Sequence, residues 1–306
     1  MIYTCTLNPA IDYRMTLGEI KEGALNRATK TSLSPGGKGI NVSIVLKQMG
    51  RESRQIGFEG GFTGKYLKDY LKDTFGLDPW FTHIEGNTRI NVKLDVSQNE
   101  TEINAPSPDV SDEQYEAFLK TAKSIGKKDV LVLAGSDINK KFNTYERLAR
   151  HCHQEGIPFV IDSEKDNVTK VLEYEPLLLK PNLYELETIF NTKLNEEKDI
   201  VRSALHLIEE GARYIIISLG KDGAYFVSRH KVYKAPPVEG EVKNTVGAGD
   251  SMVAGFLDSY LEDENPYKAF KRAVAAASAT VFSEGLADKK TIDAIETSIE
   301  IEEVNL

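Results

Sequence analysis

The stretch VLVLAGSDINKKFNTYERLARHCHQEGIPFVID, residues 130 to 162, decides the fold class of this sequence. It opens with Val130 to Ala134, an apolar run of strand length, and closes with a similar run, Phe159 to Asp162. Between them, Asn143 to Glu155 has helical spacing, and Gly156 stands where a helix stop is expected. A strand, a helix and another strand in this order are typical of a parallel sheet.

The same alternation continues through the second half of the chain. Leu177 to Lys180 and Tyr214 to Ser218 are further strand-length runs, and Glu197 to Glu210 reads as a helix that ends near Gly211. We therefore expect an α/β fold of three layers, α/β/α, in which helices cover both faces of a mostly parallel central sheet. A single domain spanning residues 1–306 suits this pattern.

The first hundred residues have a different pattern. Ile90 to Val96 alternates apolar and polar side chains, and Glu100 to Asn104 resumes the alternation after a possible turn at Ser97 to Asn99. This pattern predicts a β-hairpin with one solvent-exposed face. A second extended region runs from about Tyr13 to Leu33. We interpret these regions as a small β-sheet that forms a lid over the main sheet. The lid segments are residues 12–34 and 88–106.

Charge and hydropathy exclude several classes of partner. With 38 basic and 47 acidic residues the net charge is −9, which argues against nucleic acid and anionic membranes as partners. No apolar run approaches the ~18 residues needed to cross a bilayer, and no basic stretch precedes the apolar run Ile2 to Leu7. We expect a cytoplasmic protein in which any anionic ligand has a local site built from amides and a few cations.

A glycine-containing motif near the C-terminus is the first candidate for chemistry. Asn244 to Asp250 reads NTVGAGD, and the following residues, Ser251 to Leu257, have helical apolar spacing. Free amides at a helix start favour negative charge, so a transferring phosphoryl group would be stabilised there by Gly247, Ala248 and Gly249. Asp250 could accept the proton of an attacking hydroxyl. Alternatively, Asp250 is only a favourable carboxylate in the first helical turn.

A second glycine cluster lies near the N-terminus. Pro35 to Asn41 reads PGGKGIN and precedes an amphipathic helix. Lys38 could pair with an anionic group, and Asn41 can both donate to and accept from sugar hydroxyls. The cluster could equally be a plain turn with a solvated lysine. It is not a Walker A loop, and the first strand is not followed by a dinucleotide fingerprint.

Together, the two clusters resemble the paired signatures of the PfkB, or ribokinase-like, carbohydrate kinases. The resemblance spans nearly the whole chain and implies ATP-dependent phosphoryl transfer with Mg²⁺ and with Asp250 as the catalytic base. Lys180 to Glu185, KPNLYE, is similar to the Asn-x-x-Glu element of the family, which implies that Glu185 organises Mg²⁺ through water. The implied nucleotide-binding residues are Lys180, Asn182, Ser218, Gly220, Gly223 and Gly249, with Ala277 and Ser283 in a helix that lines the adenine pocket.

Finer features resemble one branch of the family, the kinases that act on fructose 1-phosphate or tagatose 6-phosphate. These features are the opening Thr6 to Asp12, TLNPAID, and the two lid strands. The guanidinium of Arg89 suits a phosphate, although a solvated cation on a wet strand face is the alternative. The implied acceptor-binding residues are Asp12, Gly37, Lys38, Asn41, Arg89 and Asn104, with Arg27 as a weaker candidate that reaches across a homodimer formed through the lid.

One loop departs from the family pattern. After Val130 to Ala134 the family usually reads Gly-Ser-Leu-Pro-x-Gly, whereas this chain has Gly135 to Lys140, GSDINK. The change alters a loop that borders the sugar, so it leaves fructose 1-phosphate and tagatose 6-phosphate as alternative acceptors. An alternative from a different functional class is a non-catalytic protein that senses nucleotides or sugar phosphates. The presence of Asp250 beside the glycine amides speaks against a sensor, which needs no base.

Overall fold

The computed structural model describes residues 1–97 and 99–304, and the strands within these residues form two sheets. In chain order, the strands are β1 (Ile2–Thr6), β2 (Ala10–Leu17), β3 (Lys30–Gly36), β4 (Ser53–Gly60), β5 (Trp80–Ile84), β6 (Arg89–Val96), β7 (Asn99–Ile103), β8 (Val130–Ala134), β9 (Phe159–Asp162), β10 (Leu178–Leu179), β11 (Tyr214–Ser218), β12 (Ala224–Ser228), β13 (Val232–Ala235) and β14 (Glu302–Glu303). The α-helices are α1 (Lys38–Gln48), α2 (Gly61–Phe75), α3 (Asp112–Ala122), α4 (Thr144–Glu155), α5 (Lys165–Val171), α6 (Leu183–Phe190), α7 (Glu197–Glu209), α8 (Ala248–Asp263), α9 (Pro266–Val281) and α10 (Lys289–Glu296).

The larger sheet has the strand order β14-β13-β12-β11-β10-β9-β8-β1-β4-β5. Neighbouring strands from β5 to β11 are parallel, and those from β11 to β14 are antiparallel. The predicted strands at β8, β9 and β11 have the observed bounds, and the predicted helices at α4 and α7 each differ by one terminal residue. The predicted α/β fold with a mostly parallel sheet is confirmed.

Helices cover both faces of this sheet because the side chains of each central strand alternate between two cores. In β8, Leu131 and Leu133 join one core, together with buried residues of α3, α4 and α7. Val130 and Val132 join the opposite core, together with buried residues of α1, α8, α9 and α10. A strand that is apolar on both faces is the pattern expected of a sheet buried between two helical layers.

The smaller sheet has the strand order β3-β2-β6-β7, in which β2 and β6 are parallel and both outer pairs are antiparallel. The predicted second sheet is confirmed, but the extended region predicted for residues 13–33 consists of two strands with an exposed connection between them. The predicted hairpin turn includes Gln98, which lies outside the described residues. Within the described part of the chain, no helix has the length and apolarity to cross a membrane.

The parallel strands place several polar residues at one edge of the larger sheet. Asp162 is the last residue of β9, Lys180 directly follows β10, and Ser218 is the last residue of β11. These strands are parallel neighbours, so their carboxyl ends lie side by side. Crevices at this edge are where open α/β sheets bind ligands.

Candidate active site

Asp250 occupies a buried position in the first turn of α8. The helix begins after Gly247, whose φ of 81° lies in the left-handed region, and a Cβ at this glycine would lie 2.5 Å from Leu286 Cδ2. Glycine is therefore required where the chain turns into the helix. Asn41, in α1, donates a hydrogen bond from Nδ2 to Asp250 Oδ2 at 2.8 Å. The two predicted glycine clusters therefore meet at this carboxylate.

The environment of Asp250 changes its acidity. Burial, reinforced by the nearby negative charge of Asp162, raises the pKa of Asp250 to about 6. The hydrogen bond from Asn41 and the charges of Lys38 and Lys180 oppose this rise. A carboxylate with a pKa of about 6 is ionised at neutral pH and still basic enough to accept a proton.

Asp162 is a central residue that sequence reasoning missed. Its carboxylate is buried, with Oδ1 2.8 Å from Lys38 Nζ and 3.6 Å from Lys180 Nζ. Burial alone would raise the pKa of Asp162, but the charges of Lys180 and Lys38 outweigh it and lower the pKa. An acidic residue that ends an apolar strand was the signal available in the sequence.

Glu185 combines two interactions at the start of α6. Its Oε2 accepts from the Asn182 amide at 2.8 Å, while Asn182 Oδ1 accepts from the Glu185 amide at the same distance, which forms a capping box. Its other carboxylate oxygen lies 3.5 Å from Lys38 Nζ. The residue is therefore a helix-start carboxylate whose second oxygen faces the lysine that pairs with Asp162. Among residues 1–97 and 99–304, no three or more His, Cys, Asp or Glu side chains are grouped closely enough to hold a metal.

A cavity of about 920 Å³ lies at the carboxyl edge of the larger sheet, and we call it the sheet-edge cavity. One end is lined by the charged residues Lys38, Asp162 and Lys180 together with the start of α8, and the other end is apolar and includes Val274 and Phe282. The predicted nucleotide-binding residues that line it are Lys180, Asn182, Ser218, Gly220, Gly223, Gly249 and Ala277. The predicted catalytic residues Gly247, Ala248 and Asp250 line it as well.

Ser283 is an exception among these predictions. The sequence prediction places Ser283 in the same helix as Ala277, but α9 ends at Val281. The Ser283 hydroxyl donates to the Ala279 carbonyl at 2.7 Å, and the residue does not line the sheet-edge cavity. The placement in the helix is therefore wrong, because the chain turns away two residues earlier. Ser278, one helical position after Ala277, does line the cavity.

A second cavity, of about 620 Å³, lies between the smaller sheet and α1, and we call it the second-sheet cavity. Asp12 and Lys93 line it from β2 and β6, and Asn41 lines it from α1. Asp12 Oδ1 accepts from Asn91 Nδ2 at 2.9 Å, and Asp12 Oδ2 lies 3.8 Å from Lys93 Nζ. Because Asn41 also binds Asp250, the two cavities meet at the Asn41–Asp250 hydrogen bond.

Two further predicted acceptor residues, Gly37 and Arg89, lie near the start of β2, where Ala10 pairs with both Gly36 and Arg89. Gly37 is the N-cap of α1 and has a φ of 134°, which favours glycine. A Cβ at this position would lie 2.6 Å from Thr6 Cγ2, so the backbone approaches Thr6 too closely for a larger residue. Arg89 is half-buried, and its guanidinium donates to the carbonyls of Ala105 and Asn8 at 3.4 Å and 3.3 Å. Burial lowers the pKa of Arg89, and the charge of Asp12 partly opposes this effect.

Five predicted acceptor residues are not among those that line the second-sheet cavity: Gly37, Lys38, Arg89, Asn104 and Arg27. Lys38 lines the sheet-edge cavity instead. Asn104 is exposed directly after β7, and Arg27 is exposed on the connection between β2 and β3. Asn104 and Arg27 line neither cavity, and their ligand roles stay predictions. Arg89 differs from them because it is partly buried at the start of β6.

The altered loop after β8 is held by its own side chains. Asp137 accepts from the Thr144 amide at 3.0 Å and from the Thr144 hydroxyl at 3.1 Å, which fixes the loop to the start of α4. The Gly135 carbonyl accepts from the Ser163 hydroxyl at 2.6 Å. These bonds replace the conformational restraint that proline would give, so the loop has a defined position next to β9.

Two cavities that meet at a buried carboxylate and a glycine-opened helix start are the arrangement expected of a phosphotransferase. Residues 6–292 match the family model described as pfkB family carbohydrate kinase, and the chain belongs to this family. The predicted family and the predicted kinase class are confirmed.

The chain is similar along its length to characterised kinases. It is 40% identical over 302 residues to the 1-phosphofructokinase of Bacillus subtilis, which covers 98% of this chain and 99% of the relative. It is 37% identical over 306 residues to the 1-phosphofructokinase of Borreliella burgdorferi, with 99% of each chain covered. It is 33% identical over 305 residues to the D-tagatose-1-phosphate kinase of Bacillus licheniformis, with 98% and 99% covered.

The fold is also similar to solved structures. Phosphofructokinase-2 from Escherichia coli, in complex with substrates and products, superimposes with a TM-score of 0.91 at 26% identity. The match covers 97% of this chain and 98% of that one. A likeness of this extent includes both sheets and the edge at which the two cavities lie.

Proposed function

We propose that this protein transfers the γ-phosphoryl group of ATP to the C6 hydroxyl of fructose 1-phosphate, forming fructose 1,6-bisphosphate and ADP. The observation that carries the proposal is the position of Asp250, which lines the sheet-edge cavity and is hydrogen-bonded to Asn41 in the second-sheet cavity. A base at this junction can reach a hydroxyl on one side while the phosphoryl group lies on the other. The similarity to two 1-phosphofructokinases supports the choice of acceptor.

The sheet-edge cavity suits ATP. Its apolar end, with Val274 and Phe282, offers packing for a base, and its charged end offers lysines for phosphates. The amides at Gly247, Ala248 and Gly249 open α8, where the helix dipole favours the charge that develops on the transferring group. As the acceptor oxygen attacks the γ-phosphorus, Asp250 takes the hydroxyl proton and ADP leaves.

The same charged end has suitable residues for Mg²⁺. Glu185 has one carboxylate oxygen near Lys38, and Asp162 lies on the other side of that lysine. Few carboxylates face this region, which suits an ion that keeps several waters and binds mainly to substrate phosphates. Glu185 would hold Mg²⁺ through water, and the bound ion would neutralise charge on the phosphate oxygens.

The second-sheet cavity suits the phosphosugar. The Asp12 carboxylate and the Asn41 amide can bind sugar hydroxyls, and Lys38 adds a cation near the reacting oxygen. Arg89 would bind the acceptor phosphate with its guanidinium fork. The smaller sheet would act as a lid that excludes water, which competes with the sugar as an acceptor.

Two alternatives remain distinct from this proposal. The first is tagatose 6-phosphate as acceptor, which is motivated by the loop from Gly135 to Lys140, where the chain departs from the family pattern beside the sugar. The second is a sensor without catalysis, which leaves the buried base Asp250 without a role. The same reaction on a different sugar phosphate would use the same base and the same donor cavity.

The experiment measures ADP release from MgATP with fructose 1-phosphate, tagatose 6-phosphate, fructose 6-phosphate and unphosphorylated fructose, each at the same concentration. We expect the highest rate with fructose 1-phosphate and almost none with fructose. A preference for tagatose 6-phosphate would keep the mechanism and overturn the acceptor. ATP binding without turnover of any acceptor would favour the sensor.

We further propose that the protein forms a homodimer through the smaller sheet. Leu33, Ile90 and Ile103 are 40–56% exposed on the face of this sheet that points away from Asp12. Covering this apolar face with a second copy would remove it from water and would bring Arg27 of one subunit near the other. Light scattering should give twice the mass of the chain, and Ile103→Lys should shift it towards the monomer. A monomeric wild-type protein would overturn this assembly.

A further inference from the structure

Several buried polar atoms near the start of the smaller sheet have no hydrogen-bond partner within residues 1–97 and 99–304. Asn8 Oδ1 and Arg89 Nε are two of them. Leaving a buried polar atom unpaired lowers the stability of the fold, so most such atoms in folded proteins have a partner. Two of them side by side indicate groups that are paired when a ligand binds.

Asn8 and Arg89 are direct neighbours. The Arg89 Nη2 group donates to the Asn8 carbonyl at 3.3 Å, so the guanidinium lies against this residue. The other end of the Asn8 side chain donates from Nδ2 to the Ser107 hydroxyl at 2.7 Å. Asn8 is 7% exposed, whereas Ser107 is at the surface, so the three side chains connect solvent with a buried polar site.

The Asn8–Ser107 hydrogen bond can reverse its direction. A serine hydroxyl can donate as well as accept, so a half-turn of the Asn8 amide keeps the bond, with Oδ1 now accepting from Ser107. The same half-turn brings Nδ2 to the position of the unpaired Oδ1. The site then offers an amide donor beside a guanidinium donor, which is a combination that suits a phosphate.

We propose that Asn8, held by Ser107, is a specificity-determining residue that binds the phosphate of the acceptor together with Arg89. This inference rests on the proposed function, in which the acceptor is a phosphosugar. Asn8 is hydrogen-bonded to Ser107 and Asp250 to Asn41, and neither Asn8 nor Ser107 lines the cavity that Asp250 lines, so we expect both to act on acceptor binding and not on proton transfer. A neutral amide is required at position 8 because a carboxylate there would repel the phosphate.

The test measures binding of fructose 1-phosphate by calorimetry, without ATP, for wild type, Asn8→Ala and Asn8→Asp. We expect Asn8→Ala to weaken binding by about tenfold or more, as is typical for a hydrogen bond to a charged group, and Asn8→Asp to weaken it further. In turnover assays the KM for the phosphosugar should rise in parallel, with kcat and the KM for MgATP close to wild type. Ser107→Ala should have a smaller effect of the same kind.

Asn265→Asp is a matched control because it makes the same amide-to-carboxylate change at the start of α9, away from Asn8 and Arg89 at the start of the smaller sheet. Asn265 Oδ1 accepts from the Tyr267 and Lys268 amides at 3.1 Å and 3.2 Å, and an aspartate keeps both bonds. This variant should bind fructose 1-phosphate like wild type. Wild-type binding by Asn8→Asp together with weak binding by Asn8→Ala would mean that Oδ1 accepts from a sugar hydroxyl, and would overturn the inference. An equal loss of affinity for MgATP would indicate a structural role and would also overturn it.

The failure of this inference can be told apart from the failure of the proposed function. Binding of fructose 1-phosphate that depends on Asn8, in a protein that releases no ADP, would keep the phosphate site and reject the kinase reaction. Turnover of fructose 1-phosphate with no change in KM for either Asn8 variant would keep the reaction and reject the site. A wild-type protein that does not bind fructose 1-phosphate at all would reject both.

Discussion

The sheet-edge cavity and the second-sheet cavity differ in how their polar groups are satisfied. In the first, buried charges pair with one another: Asp162 lies between Lys38 and Lys180, and Glu185 is bound into a capping box. Beside the second, Asn91 Oδ1 and Arg89 Nε are buried without a partner among the described residues. Under the proposed function, this difference corresponds to a preformed end for phosphoryl transfer and an acceptor end that gains hydrogen bonds when a ligand binds.

The largest expected effect concerns the junction between the two cavities. Asp250→Asn removes the proton acceptor but keeps the size of the side chain, so kcat should fall by about 10²–10⁴-fold while MgATP still binds. Steady-state rates and calorimetric titration with MgATP measure the two quantities. Asp263→Asn, at the exposed end of the same helix, is the control and should retain normal turnover. Normal turnover by Asp250→Asn would remove the residue from the mechanism.

The next effect tests whether the charges of the sheet-edge cavity form one buried unit. Lys180→Met leaves the buried Asp162 with Lys38 alone, so the free energy of unfolding should fall by about 3 kcal/mol. Urea denaturation measures the free energy of unfolding of the variant and of the wild type. Lys193→Met breaks an exposed pair with Glu187 and should cost less than about 1 kcal/mol. Equal losses for the two variants would contradict the idea of a buried charge cluster.

A third effect should appear only on the acceptor side. Arg89→Ala should raise the KM for the phosphosugar by about 10- to 100-fold, because hydrogen bonds to charged groups contribute about 1.5–3 kcal/mol. The KM for MgATP should stay close to wild type in the same assays. Arg54→Ala, which removes a guanidinium that lies over Trp80 at the surface, is the control. An unchanged phosphosugar KM would exclude Arg89 from the site.

The smallest effect concerns pH. Asp250 can accept a proton only when its carboxylate is ionised, and its pKa is raised to about 6. We therefore expect kcat to rise with pH through this value and then to level off. The Asn41 hydrogen bond stabilises the carboxylate and lowers its pKa, so Asn41→Leu should move this rise to higher pH. Rate measurements across pH values for both proteins test the shift. A rise at the same or lower pH in the variant would contradict the assignment.

The sequence predicted the larger sheet better than the site it carries. An apolar run such as Val130 to Ala134 is typical of a strand that is buried between two helical layers. The strands β8, β9 and β11 were predicted from such runs with their observed bounds. The strands β12 to β14 were not predicted. β13 and β14 have four and two residues and give little signal, whereas AYFVS of β12 is a buried apolar run that was not recognised as a strand.

Within the site, residues in glycine motifs were easier to find than residues that depend on distant parts of the chain. Asp250 follows a recognisable glycine turn, whereas Asp162 gains its role from Lys38 and Lys180, which are remote in sequence. The unpaired atoms at Asn8 and Arg89 likewise become visible only when β2, β6 and the Ser107 segment are brought together. Spacing along the chain carries no information on such contacts.

The most direct test is a crystal structure of the Asp250→Asn variant with fructose 1-phosphate and a non-hydrolysable analogue of MgATP. The account predicts the nucleotide in the sheet-edge cavity and the sugar in the second-sheet cavity, with its C6 hydroxyl about 2.6–3.2 Å from the residue 250 side chain. The transferring phosphorus should lie on the opposite side of that hydroxyl from Asp12. A C6 hydroxyl that points away from residue 250, or a sugar bound outside the second-sheet cavity, would contradict the central claim.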